Sequence, residues 1–589
     1  MLTREELNRQ LWGAADILRG AVDASDFKNH ILSLLFLKRL SDVFFERREE
    51  ILREWQKAGK TLKQAEKIAE DPDEYSDGAY YLPAESRWPS LMKVAENRAE
   101  AIDKALVAIE DTNSRYLSGV LAGVRFNDER RFGDAATMDG LMQRLLAHFA
   151  KIPLGNRDLL EPDVLGNSYE YLIERFAETA GKKGGEFYTP FGAVRLLVEL
   201  LDPKEEMRIH DPTCGSGGMV IECGRHIEER GGNPRNLTLT GQEKNVGTWA
   251  ICRLNMLLHG FPDADIRAGD TIRNPKFTTH GVLDAFDRVI ANPPFSLKDW
   301  GGDVAESDPY KRFERGIPPK TKGDMAFLLH MVEIVKQRRG MAGVVLPHGV
   351  LFRGGSEAKI RESLLKEDLI EAVIGLPAQL FFGTGIPAAL VICNWNKPKE
   401  RKGHILFIDA STEGLYREGK SRNFLDPADI LRIAAIYHAW ADPKKVKPTG
   451  LGISGVWTTA LQRHLKRQLA RAKNEGHEIL NRIQDDFNRR EQDILAADVA
   501  LVEWIDQPHP APGGGTRSSL EKHTAIVAVK DILKDHKGNL NITRYVDASD
   551  PPPRLDVKAE LKKLRHLEKQ RDAAEAKMDE LLKEFGYDG

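Results

Sequence analysis

Cysteine is scarce in this chain. Only four occur, Cys214, Cys223, Cys252 and Cys393, and none is spaced as a C-x-x-C pair. No nearby histidines complete a zinc set, so no metal site is expected, and the four read as reduced thiols of a cytoplasmic protein. Long apolar runs are missing as well. No stretch approaches the roughly 20 residues that a membrane helix needs. The opening MLTREELNRQ holds no apolar signal-peptide core, so export is not expected. Nor is there an excess of basic charge: Lys+Arg number 86 against Asp+Glu 89, a formal net charge of −3. A protein that grips DNA unaided is usually basic, because phosphate contacts dominate affinity. A DNA partner would therefore be held largely by another subunit, with room left for a local basic groove. What is present, 41% hydrophobic and 30% charged residues over 589 positions, is a globular profile long enough for about three domains.

Residues 1–150 read as a helical domain. The segment 26–45 is strongly apolar with Lys38, Arg39 and Asp42 interspersed, the pattern of a largely buried helix. Residues 151–400 alternate strand-like runs with helical patterns: MRIHDPT, LTLTGQE, FDRVIANPPF, GMAGVVLPHGVL, LIEAVIGLP and AALVICNW, with helices such as VGTWAICRLNMLLHG between them. Alternation of this kind predicts a Rossmann-like α/β domain, a doubly wound, mostly parallel sheet with helices on both faces. Ligands of such sheets bind beyond the C-terminal ends of the strands. Residues 401–506 read as a mixed segment followed by a charged helical extension, and 507–554, with its Pro508, Pro510 and Gly513, as linker and tail. Residues 555–589 form a final helix. Its Leu561, Leu564, Leu567, Ala574, Met578, Leu581 and Phe585 make a narrow apolar stripe suited to helix–helix packing.

Three motifs carry chemistry. Asp211-Pro-Thr-Cys-Gly-Ser-Gly-Gly218 falls at a strand-to-helix turn, where glycines let the backbone approach a ligand. An acid just before the turn suits the cationic amino-acid half of S-adenosylmethionine. The turn lacks the Lys-Ser/Thr of a phosphate-binding loop and the spacing of the dinucleotide fingerprint. Glu243 ends the next strand, where a carboxylate can accept both ribose hydroxyls; a solvated acid is the competing reading. Asp270, in AGDT, ends a further strand and could accept from the adenine amino group of the cofactor. The third motif is the most specific. Asn292-Pro293-Pro294-Phe295 follows the strand DRVIA, and such a tetrad arises by chance in roughly one chain in a hundred of this length. An exocyclic amine on a base is a poor nucleophile, because its lone pair is delocalised into the ring. The Asn292 side-chain oxygen and the Pro293 carbonyl can accept its two hydrogens, favouring a tetrahedral nitrogen in line with a sulfonium methyl. Two prolines stiffen the loop, and Phe295 offers a face for an extruded base. The motif alone leaves adenine N6 and cytosine N4 open. No cysteine sits where a carbon-5 cytosine methylase needs one.

In this order the motifs resemble DNA amino-methyltransferases. Gly185-Glu-Phe-Tyr-Thr-Pro190 upstream resembles the cofactor-pocket cap of the modification subunit of type I restriction–modification systems. The flanks VLGNSYEYLIERFA, LNMLLHG, GDMAFLLHMVEIV and GLPAQLFFGTGIPAALVICNW, and Leu540-Asn-Ile-Thr-Arg-Tyr-Val546 near the end, are similar to that family too. The resemblance covers nearly the whole chain and is weakest between about 440 and 535. It implies an S-adenosylmethionine-dependent methyltransferase fold with an N-terminal helical domain and a C-terminal helical region. Glu186, Phe187, Tyr188, Thr189 and Pro190 would then line the cofactor pocket. Asp211, Cys214, Gly215, Ser216 and Gly217 would form its floor, Glu243 would hold the ribose, and Asn292, Pro293, Pro294 and Phe295 the target amine. Thr213 and Met219 stand where the family often has Ala and Phe, mild departures. The family works on DNA as two modification subunits with one specificity subunit, joined by a restriction subunit for cleavage. A stand-alone DNA methylase, a protein-glutamine methylase and a non-catalytic scaffold are the rival readings. The first would need a recognition module, and none is evident.

Overall fold

The computed structural model describes residues 1–19, 24–75, 79–121, 123–160, 164–180, 189–381, 385–412, 414–446, 453–474, 477–512, 515–548 and 557–584. The N-terminal region is helical, as its periodicity predicts. Helices α1 (Arg4–Leu18), α2 (Ala24–Lys57), α3 (Arg98–Thr112) and α4 (Ala135–Phe149) close around a core that includes Leu11, Leu35, Phe44, Leu106 and Leu145. A capping box starts α1: the Glu6 N–H donates to Thr3 Oγ1 and the Thr3 N–H to the Glu6 carboxylate. In α2 the buried Lys38 is ion-paired with Asp42 one turn on.

That core extends past residue 150. Helix α5 (Val164–Ala180) buries Leu165, Tyr169 and Leu172 in it, and the Tyr169 hydroxyl donates to the Ile251 carbonyl at 3.1 Å. On sequence alone α5 belongs with the catalytic unit. It packs with the N-terminal helices as well and ties the two regions together.

The α/β unit follows with α6 (Phe191–Leu201), β1 (Arg208–Asp211), α7 (Gly218–Glu229), β2 (Thr238–Glu243), α8 (Val246–Leu258) and β3 (Asp265–Ala268). Next come β4 (Arg288–Ala291), α9 (Asp324–Lys336), β5 (Met341–Pro347), α10 (Ser356–Lys366), β6 (Ile370–Gly375), β7 (Ala388–Asn394) and β8 (His404–Asp409). With β9 (Thr524–Ala528) these strands form one sheet in the order β9-β8-β6-β7-β5-β4-β1-β2-β3. Five neighbouring pairs run parallel; β7 is antiparallel to β5 and β6, and β9 to β8. Helices α6 and α7 share one core with Ile209, Ile290 and Leu406, while α9 and α10 share another with Val289, Val344 and Phe407. The sheet is thus covered on both faces, as expected of a doubly wound fold.

The sheet continues beyond residue 400. In β8, Ile405 and Phe407 face one core and Leu406 and Ile408 the other, so the strand is apolar throughout and lacks the alternation that marks a half-exposed strand. The segment expected to be linker contributes β9 and buries Leu540, Ile542 and Val546 against the sheet. Tyr545 stacks on Phe407 with ring centroids 4.3 Å apart. Pro508–Pro510 pairs antiparallel with Thr516–Ser518 in a small separate sheet.

The charged stretch after 460 is a helical hairpin. Ahead of it α11 (Pro427–His438) joins the face of α6 and α7, and α12 (Ile453–Arg471) and α13 (His477–Ile505) lie across them. Trp457 Nε1 donates to Glu199 Oε1 at 3.2 Å and Arg467 to Glu228 Oε1 at 2.6 Å. At the far end Ala472 and Ile483 pack with Leu160 and Met1, so the hairpin braces the catalytic unit against the N-terminal region. The terminal helix is α14 (Val557–Glu584); its residues are exposed from 558 to 583, and Phe585 lies outside the described residues. Among the described residues no helix is long and apolar enough to cross a membrane.

Leu501 is 1% exposed in the core that α13 shares with α11. Leu501→Ala is expected to cost about 2–5 kcal/mol, read as a lower midpoint in thermal or denaturant unfolding of the full chain. An unchanged midpoint would show that the hairpin is not part of the cooperative unit.

Candidate active site

Strands β1 and β4 are parallel neighbours, with Ile209 opposite Arg288 and His210 opposite Val289. The chain passes from β1 outward to β2 and β3 on one side, and from β4 to β5 on the other. This is the switch point of the sheet, where two loops leave the strand ends side by side and open a crevice. The glycine turn leaves β1 there, and the Asn-Pro-Pro-Phe loop leaves β4.

The turn is held by its own backbone. The Cys214 N–H donates to the Gln242 carbonyl at 3.0 Å and the Gly217 N–H to the Cys214 carbonyl at 2.7 Å. Gly215 and Gly217 have φ of +53° and +86°. A Cβ on Gly217 would lie 2.7 Å from Met256 Cε and 2.8 Å from Cys252 Sγ, so only glycine fits. Asp211, Cys214, Gly215, Ser216, Glu243 and Asp270 line a single cavity, and Thr189, Asn292 and Pro294 line it too. The two distant motifs therefore share one site.

Four other candidates, Pro190, Gly217, Pro293 and Phe295, are not among the residues that line the cavity. Pro190 opens α6, Gly217 shapes the turn from below, and Pro293 is buried under the loop. Phe295 is half-buried, its ring 6.0 Å from Phe381 and tilted 63° to it. Glu186, Phe187 and Tyr188 lie outside the described residues.

The cavity is rich in acceptors. Burial pushes the Asp211 carboxyl up to about 8, although the Thr213 N–H donates to it at 2.9 Å. Burial raises Glu243 as well, partly offset by the N–H groups of Asn245 at 2.7 Å and Gly215 at 3.1 Å. Against a burial effect of opposite sign, the Arg273 N–H and the Lys244 ammonium hold Asp270 below the usual carboxylate range. The contact with Cys252 and burial push the Cys214 thiol well up, so it is a wall residue and no nucleophile. Thr213 Oγ1 and Asn292 Oδ1 are buried here without a hydrogen-bond partner among the described residues. Buried polar atoms are normally satisfied. A carboxamide oxygen and a hydroxyl without partners beside a buried acid fit a polar, cationic ligand such as S-adenosylmethionine.

The loop after β4 is fastened at both ends. Asn292 Nδ2 donates to Thr189 Oγ1 at 3.0 Å. Ser296 sits at φ +53°, a conformation a side chain disfavours, and its N–H donates to Asp324 Oδ1 at 2.7 Å. Asp324 is 1% exposed and is also met by Arg353 at 3.4 Å. Beyond it Arg312, likewise 1% exposed, donates to Asp308 and to the Thr271 and Ile272 carbonyls at 3.1 and 2.7 Å.

Comparison with known proteins identifies the family. A family model described as N-6 DNA Methylase matches residues 160–450, and one described as HsdM N-terminal domain matches residues 7–149. The MjaIX methylase subunit of a type I restriction enzyme from Methanocaldococcus jannaschii is 30% identical over 461 residues, 76% of this chain and 80% of the relative. The MjaVII methylase subunit of the same organism is 33% identical over 454 residues, 75% of this chain and 74% of the relative. The chain belongs to the type I restriction–modification methylase subunits. It is thus a site-specific DNA methyltransferase of the adenine-N6 class. A solved methyltransferase subunit of a type I system from Streptococcus thermophilus superposes with a TM-score of 0.68 at 26% identity, covering 93% of this chain and 100% of that one.

Sequence reasoning missed several parts of the methylase subunit's site. Glu170 and Ile173 of α5, Phe191, Lys244, Trp300 and Phe327 also line the cavity. Phe191 and Lys244 directly follow motif residues, so adjacency was the available signal. Asp324 opens the GDMAFLL stretch, which carried the resemblance, but its grip on Ser296 has no mark in the sequence. Asp324→Ala removes the acceptor of that N–H and is expected to cost about 1–3 kcal/mol. It should also speed amide exchange across residues 292–300 in hydrogen–deuterium mass spectrometry; unchanged exchange would show that Asp324 does not hold the loop.

Proposed function

We propose that the cavity between the 211–217 turn and the 292–295 loop is where this methylase subunit moves a methyl group from S-adenosylmethionine to N6 of adenine in DNA. The observation that carries the reading is Asn292, whose Oδ1 is buried without a partner among the described residues, lining one cavity with Asp211, Glu243 and Asp270. The cofactor supplies an electrophilic methyl group on a sulfonium. Asp211 would hold its ammonium, Glu243 the ribose hydroxyls and Asp270, shared with Lys244, the purine amino group. Ionisation of Asp211 on meeting that ammonium would restore the charge that burial suppresses.

Asn292 and the Pro293 carbonyl work on the other substrate. An adenine turned out of the duplex brings two N6 hydrogens, and Asn292 Oδ1 accepts one while the Pro293 carbonyl accepts the second. The nitrogen lone pair is thereby released from the ring and directed into the cavity. As the new N–C bond forms, the donor's S–C bond would break to leave a neutral thioether, and one amino proton would pass to water. A carboxamide oxygen is too weak a base to keep it, so its part is to orient the amine and stabilise the growing charge. Phe295 would stack on the extruded base, and Pro294 fixes the loop beside it.

For the partners, the net charge of −3 supports a division of labour in which a specificity subunit holds and reads the DNA. Two copies of this chain would join one specificity subunit, with a restriction subunit added for cleavage, in the cytoplasm. The exposed Leu561, Leu564, Leu567, Met578 and Leu581 of α14 support that helix as the packing element toward the specificity subunit. Deleting 555–589 should abolish co-elution with the specificity subunit in size-exclusion chromatography; an intact complex would count against this role.

Transfer of labelled methyl to DNA by the assembled complex tests the chemistry. Asn292→Ala should lower it by about a hundredfold or more, as loss of a transition-state hydrogen bond does, with cofactor affinity unchanged. Nucleoside analysis should find N6-methyladenine. Full activity in the variant removes Asn292 from the mechanism, and N4-methylcytosine as product would reassign the base.

A further inference from the structure

Resting on the methyl-transfer reading above, we propose that Thr189 is a positioning residue that keeps the oxygen end of the Asn292 carboxamide turned toward the target amine. The two residues are 103 apart in sequence, yet Asn292 Nδ2 donates to Thr189 Oγ1 at 3.0 Å while Oδ1 is buried with no partner among the described residues. Both residues line the same cavity. Thr189 is itself well anchored, because Pro190 opens α6 and its carbonyl accepts from the Ala193 N–H at 2.9 Å.

A carboxamide has nearly the same shape either way round, but its two ends do opposite things. The oxygen accepts; the NH2 only donates. Adenine N6 brings donors, so an amide turned the wrong way sets donor against donor and the amine is not captured. With the oxygen committed to the base, the NH2 needs an acceptor of its own, and Thr189 Oγ1 is that acceptor. Without that hydroxyl the productive orientation leaves a half-buried N–H unmet, and the unproductive one competes. Thr189 thereby acts through Asn292 and needs no contact with either substrate.

Thr189→Val, Thr189→Ala and Thr189→Ser in the full chain, assembled with its specificity subunit, test this. The readouts are the single-turnover rate at saturating cofactor and DNA, the cofactor Kd by calorimetry, and the melting midpoint. We expect the valine and alanine variants to slow the single-turnover step by about tenfold or more, and the serine variant to stay within about threefold of wild type. Cofactor Kd should remain within about threefold and the midpoint should not move. The alanine variant, which adds no bulk, decides the matter if valine misfolds. Wild-type rates in the alanine variant, or a serine variant as slow as alanine, overturn the proposal. A loss of cofactor affinity that matches the loss of rate also overturns it, and makes Thr189 a cofactor contact. If the wild-type complex methylates no adenine, the reading of the site itself fails; if it does and Thr189→Ala is unaffected, only the role of Thr189 falls.

Discussion

The parallel pairing of β1 with β4 is the constraint on which the site depends. There two parallel strands that are neighbours in space send their following chain in opposite directions across the sheet, β1 toward β2 and β4 toward β5. A glycine turn and an Asn-Pro-Pro-Phe loop, separated by 74 residues between Gly217 and Asn292 in the sequence, are thereby set facing one another. Both strands are short, and their register is fixed by cores on two faces, since a slip of one residue would turn Ile209 and Val289 out of their cores. The precision of the crevice is thus inherited from hydrophobic packing some distance below it.

Above that frame the site is built mainly from acceptors. Asp211, Glu243 and Asp270 face the cavity, and the nearby N–H groups are already committed to holding the carboxylates or the turn. Such a surface repels phosphate and welcomes a sulfonium, an ammonium and the hydroxyls of a ribose. The same logic extends to the loop after β4, where an unpartnered amide oxygen awaits a donor. Burial makes each of these groups more selective, because an unmet acceptor in a dry wall is costly and a matched one correspondingly favourable. The cavity is shaped for charge and hydrogen bonding in its ligand, which a methyl donor and an exocyclic amine both bring.

Much of this was legible in the residues. The turn at 211–218 and the tetrad at 292–295 are local patterns whose chemistry does not depend on tertiary detail, and the strands around them carry dense apolar runs. The sheet beyond residue 400 was not legible, because β8 is buried on both faces and β9 follows a stretch rich in proline and glycine. That α5 also completes the N-terminal core was not legible for a related reason: an amphipathic pattern tells that a face is buried, not which core receives it. The bracing role of the α12–α13 hairpin has the same origin, since its charged surface reads as solvated until Glu199 and Glu228 are seen opposite Trp457 and Arg467. The pairing of Thr189 with Asn292 is of a third kind. It joins residues far apart in sequence through one hydrogen bond, and nothing in either neighbourhood announces it.

The most direct measurement is a structure of the assembled complex with DNA and a cofactor analogue that cannot transfer its methyl group. The expected result is an extruded adenine whose N6 lies about 2.7–3.2 Å from Asn292 Oδ1, with Thr189 still accepting from the amide nitrogen and the analogue's amino-acid end against Asp211. An adenine held elsewhere, or an Asn292 amide presenting its nitrogen to the base, would contradict the account.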